Sequence, residues 1–210
     1  MSGTVSLVSG GIDSTLMTKI FKDEGVDQQL LYVNFEQPSA NMEWRACNKI
    51  TNFFGLELPV RINLGDYWTL LNQFGFDITR ISSNDFFIPG RNLILLWVAS
   101  FVAFAEGYDS VAIGLIKPGN FPFPDQVPEF IVNTEYALSS TFGKKISVRV
   151  PLAELTKNEV VRLSTKNRVP LDMTYSCQKG RERYCGSCIS CIDIKLSGFE
   201  SLFKQFTLEE

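Results

Sequence analysis

The 210-residue chain contains no histidine. That absence removes every mechanism built on an imidazole base or ligand, including the Ser-His-Asp and Cys-His arrangements. A metal site here must be built from cysteine, carboxylate or water. Charge of one sign is also lacking in excess: 20 Lys and Arg stand against 23 Asp and Glu, a net charge of −3. Such a balance argues against a broad nucleic-acid-binding face, while leaving room for a local basic pocket. Long hydrophobic runs are missing too. The longest, residues 93–105, is too short to cross a bilayer and reads as a buried helix. The first residues enter a strand with no leader peptide, so the expected compartment is the cytoplasm.

What the chain does have is apolar mass for a sizeable core, with hydrophobic residues at 45% and 17 phenylalanines. Residues 4–8 form a short apolar strand. They run into Ser9-Gly10-Gly11-Ile12-Asp13-Ser14 and then into a helix predicted over 14–24 and closed by Gly25. A strand end of this kind aims backbone N–H groups at one point, and the helix N-terminus adds partial positive charge. Ser9 and Ser14 bring hydroxyls, and the glycines permit close approach of a ligand. The stretch differs from both the Walker loop and the dinucleotide fingerprint. A plain strand-to-helix turn is the bland alternative; the six residues together favour a phosphate loop.

Further apolar strands are predicted at 29–35, 58–62, 111–115 and 146–151, with helices at 41–54 and after Thr156, a candidate N-cap. Strands alternating with helices over short connections predict an α/β fold with a largely parallel sheet and helices on both faces. Ligands of such sheets collect beyond the carboxyl ends of the strands, where the Ser9 loop lies. Residues 63–85 give no clear pattern. Arg91 and Asn92 sit where an apolar helix begins; a simple cap by Asn92 is the alternative to a role in the site. The loop 117–125 carries three prolines, two phenylalanines and Asp125, a stiff aromatic surface suited to a planar heterocycle with N–H donors, or else a plug for the core. Lys157, in the first turn of its helix, is unfavourable on dipole grounds unless it faces a phosphate.

Four of the five cysteines, Cys177, Cys185, Cys188 and Cys191, follow the spacing C-x7-C-x2-C-x2-C. Thiols so close in a cytosolic chain read as a closed tetrahedral zinc site, with an iron–sulfur cluster or bare thiols as alternatives. Cys47 stands alone as a small hydrophobe. The expected organisation is a phosphate-binding α/β domain over 1–170 and a cysteine segment over 171–210.

Three separated signatures, Ser-Gly-Gly-Ile-Asp-Ser, Ile-Pro-Gly-Arg-Asn at 88–92 and the cysteine tail, together resemble the 7-cyano-7-deazaguanine synthase family of queuosine biosynthesis, whose members are pyrophosphate-loop ATP pyrophosphatases. Phe123-Pro124-Asp125, Pro128-Glu129-Phe130, Pro151-Leu152 with Leu155 and Lys157, and Tyr175-Ser176-Cys177 extend the likeness over nearly the whole chain. The resemblance implies ATP with magnesium and structural zinc. It also implies adenylation of the carboxylate of 7-carboxy-7-deazaguanine, then transfer to ammonia to give the amide and finally the nitrile. Ser9, Gly10, Gly11, Asp13 and Ser14, with Asn92 nearby, would hold the nucleotide, while Arg91 and Lys157 would neutralise phosphate charge. Asp125 would accept N–H bonds from the guanine-like edge and Phe123 would pack on the ring. A homodimer is implied as well. The chain keeps Gln37 and Gly114 of the family's patterns but departs from them at Tyr32, Asn34, Glu36, Ile116, Gly119, Phe123 and Ser187. These departures alter polar groups near the substrate, so a paralogue that passes the deazaguanine to a protein amine is the second reading. A non-catalytic zinc ribbon that binds nucleic acid is the third.

Overall fold

Five strands make one parallel sheet in the order β3-β2-β1-β4-β5. The computed structural model describes residues 3–74, 88–117 and 123–198. The strands are β1 (Gly3–Leu7), β2 (Asp27–Asn34), β3 (Val60–Asn63), β4 (Ser110–Ala112) and β5 (Ser147–Arg149). Between them run α1 (Ile12–Asp23), α2 (Ala40–Phe54), α3 (Gly65–Gln73), α4 (Arg91–Glu106) and α5 (Pro128–Phe142), and after the last strand come α6 (Lys157–Lys166) and α7 (Ile189–Leu196). β1 lies at the centre, with Val5 opposite Gln29 on one side and Val111 on the other.

The two-residue period of the strands divides the core. Val5, Leu7, Leu31, Val33 and Val111 face α4 and α5, meeting Leu96, Ala99 and Leu138. Ala112 faces the opposite layer, where Leu16 and Met17 of α1 pack on Val160 and Val161 of α6. Helices thus cover both faces, as the alternating pattern requires. A third cluster joins Ala46, Ile50 and Phe54 of α2 to Tyr175 and three of the tail cysteines. Among the described residues no helix is long and apolar enough to cross a membrane.

Several boundaries differ from expectation. α4 begins at Arg91, and it is buried on one side only: Leu93, Trp97, Phe101 and Phe104 are exposed. The ladders of β4 and β5 are three residues each, shorter than the apolar runs that contain them. α3 lies in the stretch that gave no pattern, and α5 was not anticipated. Residues 75–87 and 118–122, which include Gly119 and most of the proline-rich loop, lie outside the described residues.

Candidate active site

The turn after β1 is shaped by what surrounds it. Gly10 has φ +71°, and a Cβ there would come within 2.7 Å of the Ala46 Cβ and 2.8 Å of the Glu43 carbonyl oxygen. Only glycine lets the loop lie flat against α2 in this left-handed conformation. The Ser9 N–H donates to Ser14 Oγ at 3.2 Å and the Gly11 N–H to Ser9 Oγ at 3.3 Å. The two hydroxyls share a hydrogen bond of 3.2 Å. These amides at the N-terminus of α1 are therefore held by hydroxyls, the type of partner that phosphate oxygens can replace. The Gly10 carbonyl accepts from the Tyr175 N–H at 2.8 Å, so the cysteine-bearing segment is tied directly to the loop.

Lys157 opens α6. Thr156 caps that helix in a full capping box with Glu159, as its sequence position predicts. The Lys157 Nζ donates to both Asp13 carboxylate oxygens at 2.8 Å across 144 residues of chain. Asp193 of α7 lies near this pair; burial holds its carboxyl above the usual range, with Lys157 opposing and Asp13 adding to the shift. Ile194 beside it packs into the α1–α6 core and anchors α7 there.

On the other side of the loop, Arg91 enters the cleft from the first turn of α4. Burial pushes its guanidinium down, and the charges of Asp125, Glu43 and Tyr67 hold it up. Asn92 does not cap α4. Gly90 occupies the cap position, and the Asn92 Nδ2 donates instead to the Asp125 carbonyl at 3.1 Å. That bond fixes the short 3-10 turn Pro124–Gln126, where Asp125 is only 6% exposed. Phe123 lines the cleft just before it.

The part of the cleft wall that carries Glu43 was not anticipated as a working part of the site. The Glu43 carboxylate accepts from Ser39 Oγ at 2.6 Å, Gln37 Nε2 at 2.6 Å and the Tyr32 hydroxyl at 3.1 Å. Burial raises the Glu43 carboxyl above its ordinary value and those three donors work against the rise. Tyr32 is pushed up as well, first by burial and then by the Glu43 charge. A carboxylate in the first turn of a helix has an ordinary explanation in the dipole, and that concealed Glu43 in the sequence. Asp193 carried a better signal, a lone carboxylate inside Ile189-Ser190-Cys191-Ile192-Asp193-Ile194. Together these groups, Gly10 and Asp125 excepted, line one cleft of about 1040 Å³. Single-ligand pockets run to about 300–1,000 Å³, so the space suits a nucleotide and a second ring side by side.

The Sγ atoms of Cys177, Cys185, Cys188 and Cys191 all lie within 4.8 Å of one another. A tetrahedron of thiolates about 2.3 Å from zinc has edges of about 3.8 Å, and Cys185 and Cys191 are 3.9 Å apart. Backbone N–H groups of Cys185, Ser187 and Cys188 point at these sulfurs. The donor set fits a closed, structural zinc site with no position for water. Gly180 in this segment has φ +64°, and a Cβ there would lie 1.8 Å from the Pro38 carbonyl oxygen. The cysteine loop is thus clamped between the Ser9 loop and the β2–α2 connection. Cys47, 2% exposed, is the small buried hydrophobe expected.

Comparison with known proteins bears on this arrangement. The sequence model described as queuosine biosynthesis protein QueC matches residues 3–202. The chain belongs to the QueC family. Among its relatives, the 7-cyano-7-deazaguanine synthase of Nautilia profundicola is 31% identical, over 95% of this chain and 94% of that protein. The 7-cyano-7-deazaguanine synthase of Aliarcobacter butzleri is 30% identical, over 96% and 92%. Solved structures of similar fold include a predicted subunit of tRNA methyltransferase from Methanocaldococcus jannaschii, with TM-score 0.56, 16% identity and coverage of 79% and 75%. NMN synthetase from Francisella tularensis has TM-score 0.53, 15% identity and coverage of 98% and 82%. At such identities these two describe the fold alone. Membership of QueC places the chain among pyrophosphate-loop proteins, and the cleft built on Ser9–Ser14 is the place where that loop sits.

Proposed function

We propose that this protein uses ATP to adenylate the carboxylate of 7-carboxy-7-deazaguanine and transfers the activated acyl group to nitrogen. With ammonia the first product is the amide, and a second activation of the amide oxygen with loss of AMP gives 7-cyano-7-deazaguanine. The observation that carries this reading is the convergence of the phosphate loop, Arg91 and Lys157 on one cleft in a QueC chain. A carboxylate nucleophile is already ionised, so the first step needs no base and suits a chain without histidine. Its oxygen attacks the α-phosphorus and pyrophosphate leaves. Ser9, Gly10, Gly11, Asp13 and Ser14 hold that pyrophosphate, and Arg91 and Lys157 neutralise the charge that builds on it. Lys157 bonded to Asp13 is a stored form of the site. With Lys157 turned to phosphate, the Asp13 carboxylate would be available to hold magnesium, a hard cation that takes oxygen ligands and would supply positive charge to the phosphates. Phe123 packs on the deazaguanine ring, and Asp125, whose backbone Asn92 holds beside the cleft, turns its carboxylate inward to accept the ring's N–H groups.

A protein amine as acceptor is the second reading. It is favoured by Ile116, an apolar residue that lines the cleft where the family pattern Gly-x-Asn has its asparagine. Incubation with ATP, magnesium, 7-carboxy-7-deazaguanine and ammonium, followed by mass spectrometry, decides between them. AMP with the nitrile base supports the first reading. AMP with a stalled adenylate or amide supports the second, and no AMP defeats both. The exposed aromatic face of α4, where Trp97 stacks on Phe101, is where the expected homodimer contact belongs, because monomers rarely leave such a patch open. Trp97→Asp then yields monomers in sedimentation.

A further inference from the structure

Aminolysis makes a demand that the phosphate machinery does not meet. Ammonium and most free amines are protonated at neutral pH and become nucleophiles only after losing a proton. With no histidine in the chain, and with lysines and tyrosines ordinarily protonated at neutral pH, the group that takes this proton is sought first among carboxylates. Among the described residues, three of them line the cleft: Asp13, Glu43 and Asp193. Asp13 is bound through both oxygens to Lys157. Asp193 stands beside that same pair on the phosphate side. Glu43 makes no ion pair among the described residues, and its backbone carbonyl sits against the phosphate loop at Gly10.

Its surroundings also suit a base. The three donors from Ser39, Gln37 and Tyr32 fix the carboxylate on the wall of the cleft. A carboxylate offers about four acceptor sites, so Oε1, which takes only the Ser39 hydroxyl, retains one for an N–H. Burial raises its proton affinity above that of an ordinary carboxylate, the direction that favours a general base. The charged and titratable groups facing it are Tyr32 from β2, Cys47 one turn further along α2, and Arg91 from α4. Of these, Arg91 favours the ionised form by its charge and Tyr32 by its hydrogen bond.

We propose that Glu43 is the general base of the amine-transfer step, the group that accepts the proton from the incoming amine. The inference rests on the adenylation reading above. In the step, ammonium gives one proton to the Glu43 carboxylate. The freed nitrogen lone pair forms the C–N bond at the acyl carbon, and the C–O bond to the AMP phosphate breaks with its electron pair leaving on AMP. The departing phosphate takes the second proton from nitrogen, and Glu43 returns its own to water.

The test separates the two half-reactions in the full-length, metal-replete protein. Pyrophosphate exchange into ATP, dependent on 7-carboxy-7-deazaguanine, reports adenylation, in which Glu43 takes no part. Ammonia and hydroxylamine then serve as alternative acceptors, the latter being a neutral nucleophile at neutral pH. In Glu43→Gln, ammonia-dependent amide formation is expected to fall about 100-fold or more, the usual worth of a general base. Exchange and hydroxamate formation fall far less. Retained ammonia transfer overturns the proposal, as does parallel loss of amide and hydroxamate or loss of exchange. Absence of exchange in the unaltered protein instead defeats the adenylation reading. If Glu43→Gln does not fold, the unaltered protein in heavy water still decides. Amide formation slowed more than hydroxamate formation supports the proposal, and equal slowing overturns it.

Discussion

Substituting the two glycines of the phosphate loop one at a time separates folding from ligand space. In Gly10→Ala the new Cβ meets the Ala46 Cβ at 2.7 Å, the Glu43 carbonyl at 2.8 Å and the Cys47 nitrogen at 3.0 Å, all belonging to α2. Two of these are backbone atoms that cannot swing aside. The left-handed φ costs about 1–2 kcal/mol for a residue with a Cβ, and forcing a methyl into a packed contact costs about 1–3 kcal/mol more. A loss of about 2–5 kcal/mol in folding stability follows from the sum of those two ranges. Gly11 is different. It has φ −78° as the N-cap of α1, and the nearest atom to an added Cβ is Ser9 Oγ at 3.3 Å, a rotatable hydroxyl. Gly11→Ala should lose less than about 1 kcal/mol, as most substitutions away from tight packing do. Yet it points into the cleft and should weaken nucleotide binding. Urea denaturation of both variants, with ATP titration of whichever remains folded, makes the comparison. Equal destabilisation, or Gly10→Ala costing less than Gly11→Ala, would refute the reasoning.

Other outcomes follow from single contacts. Thr156→Ala removes the capping box that positions Lys157 and should cost about 1 kcal/mol in denaturation, the usual worth of a cap. Lys157→Gln leaves the fold intact and should lower turnover about 100- to 1,000-fold, the loss seen when one stabiliser of transition-state charge is removed. Cys188→Ser or chelation should release one zinc per chain by elemental analysis, and should also weaken ATP binding through the Tyr175–Gly10 hydrogen bond. Because the Glu43 carboxyl titrates above its usual value of 4.5, the folded state binds the extra proton. Stability is therefore fully present below that pH and lost as pH rises through the elevated value. Glu43→Gln should flatten that decline in a series of thermal melts.

The parts of the molecule legible in the sequence are those set by local rules. The strand cores announced themselves as apolar runs, Thr156 as a cap, and the four cysteines by spacing that the Sγ geometry matches. The phosphate loop was legible because its residues are contiguous. What the sequence could not display is pairing across distance: Lys157 with Asp13, Asn92 with the Asp125 carbonyl, Tyr175 with Gly10. Asn92 looked like a cap because helix starts favour asparagine, yet a partner 33 residues on claimed its amide. α5 escaped because only Thr134 and Leu138 are buried along it, while Val132 and Tyr136 are exposed, so its apolar stripe is blurred. The apolar run 93–105 read as a buried helix since periodicity says little about which side is covered when nearly every position is apolar. Glu43 resembled a helix-dipole acid, and only its three donors distinguish it.

The central claim is adenylation of a carboxylate at the Ser9–Ser14 loop. Its most direct test is exchange of labelled pyrophosphate into ATP, with magnesium and 7-carboxy-7-deazaguanine but no amine present. Exchange that requires the acid and collapses in Lys157→Gln is the predicted result. No exchange, or release of ADP and orthophosphate in place of AMP and pyrophosphate, would contradict the account.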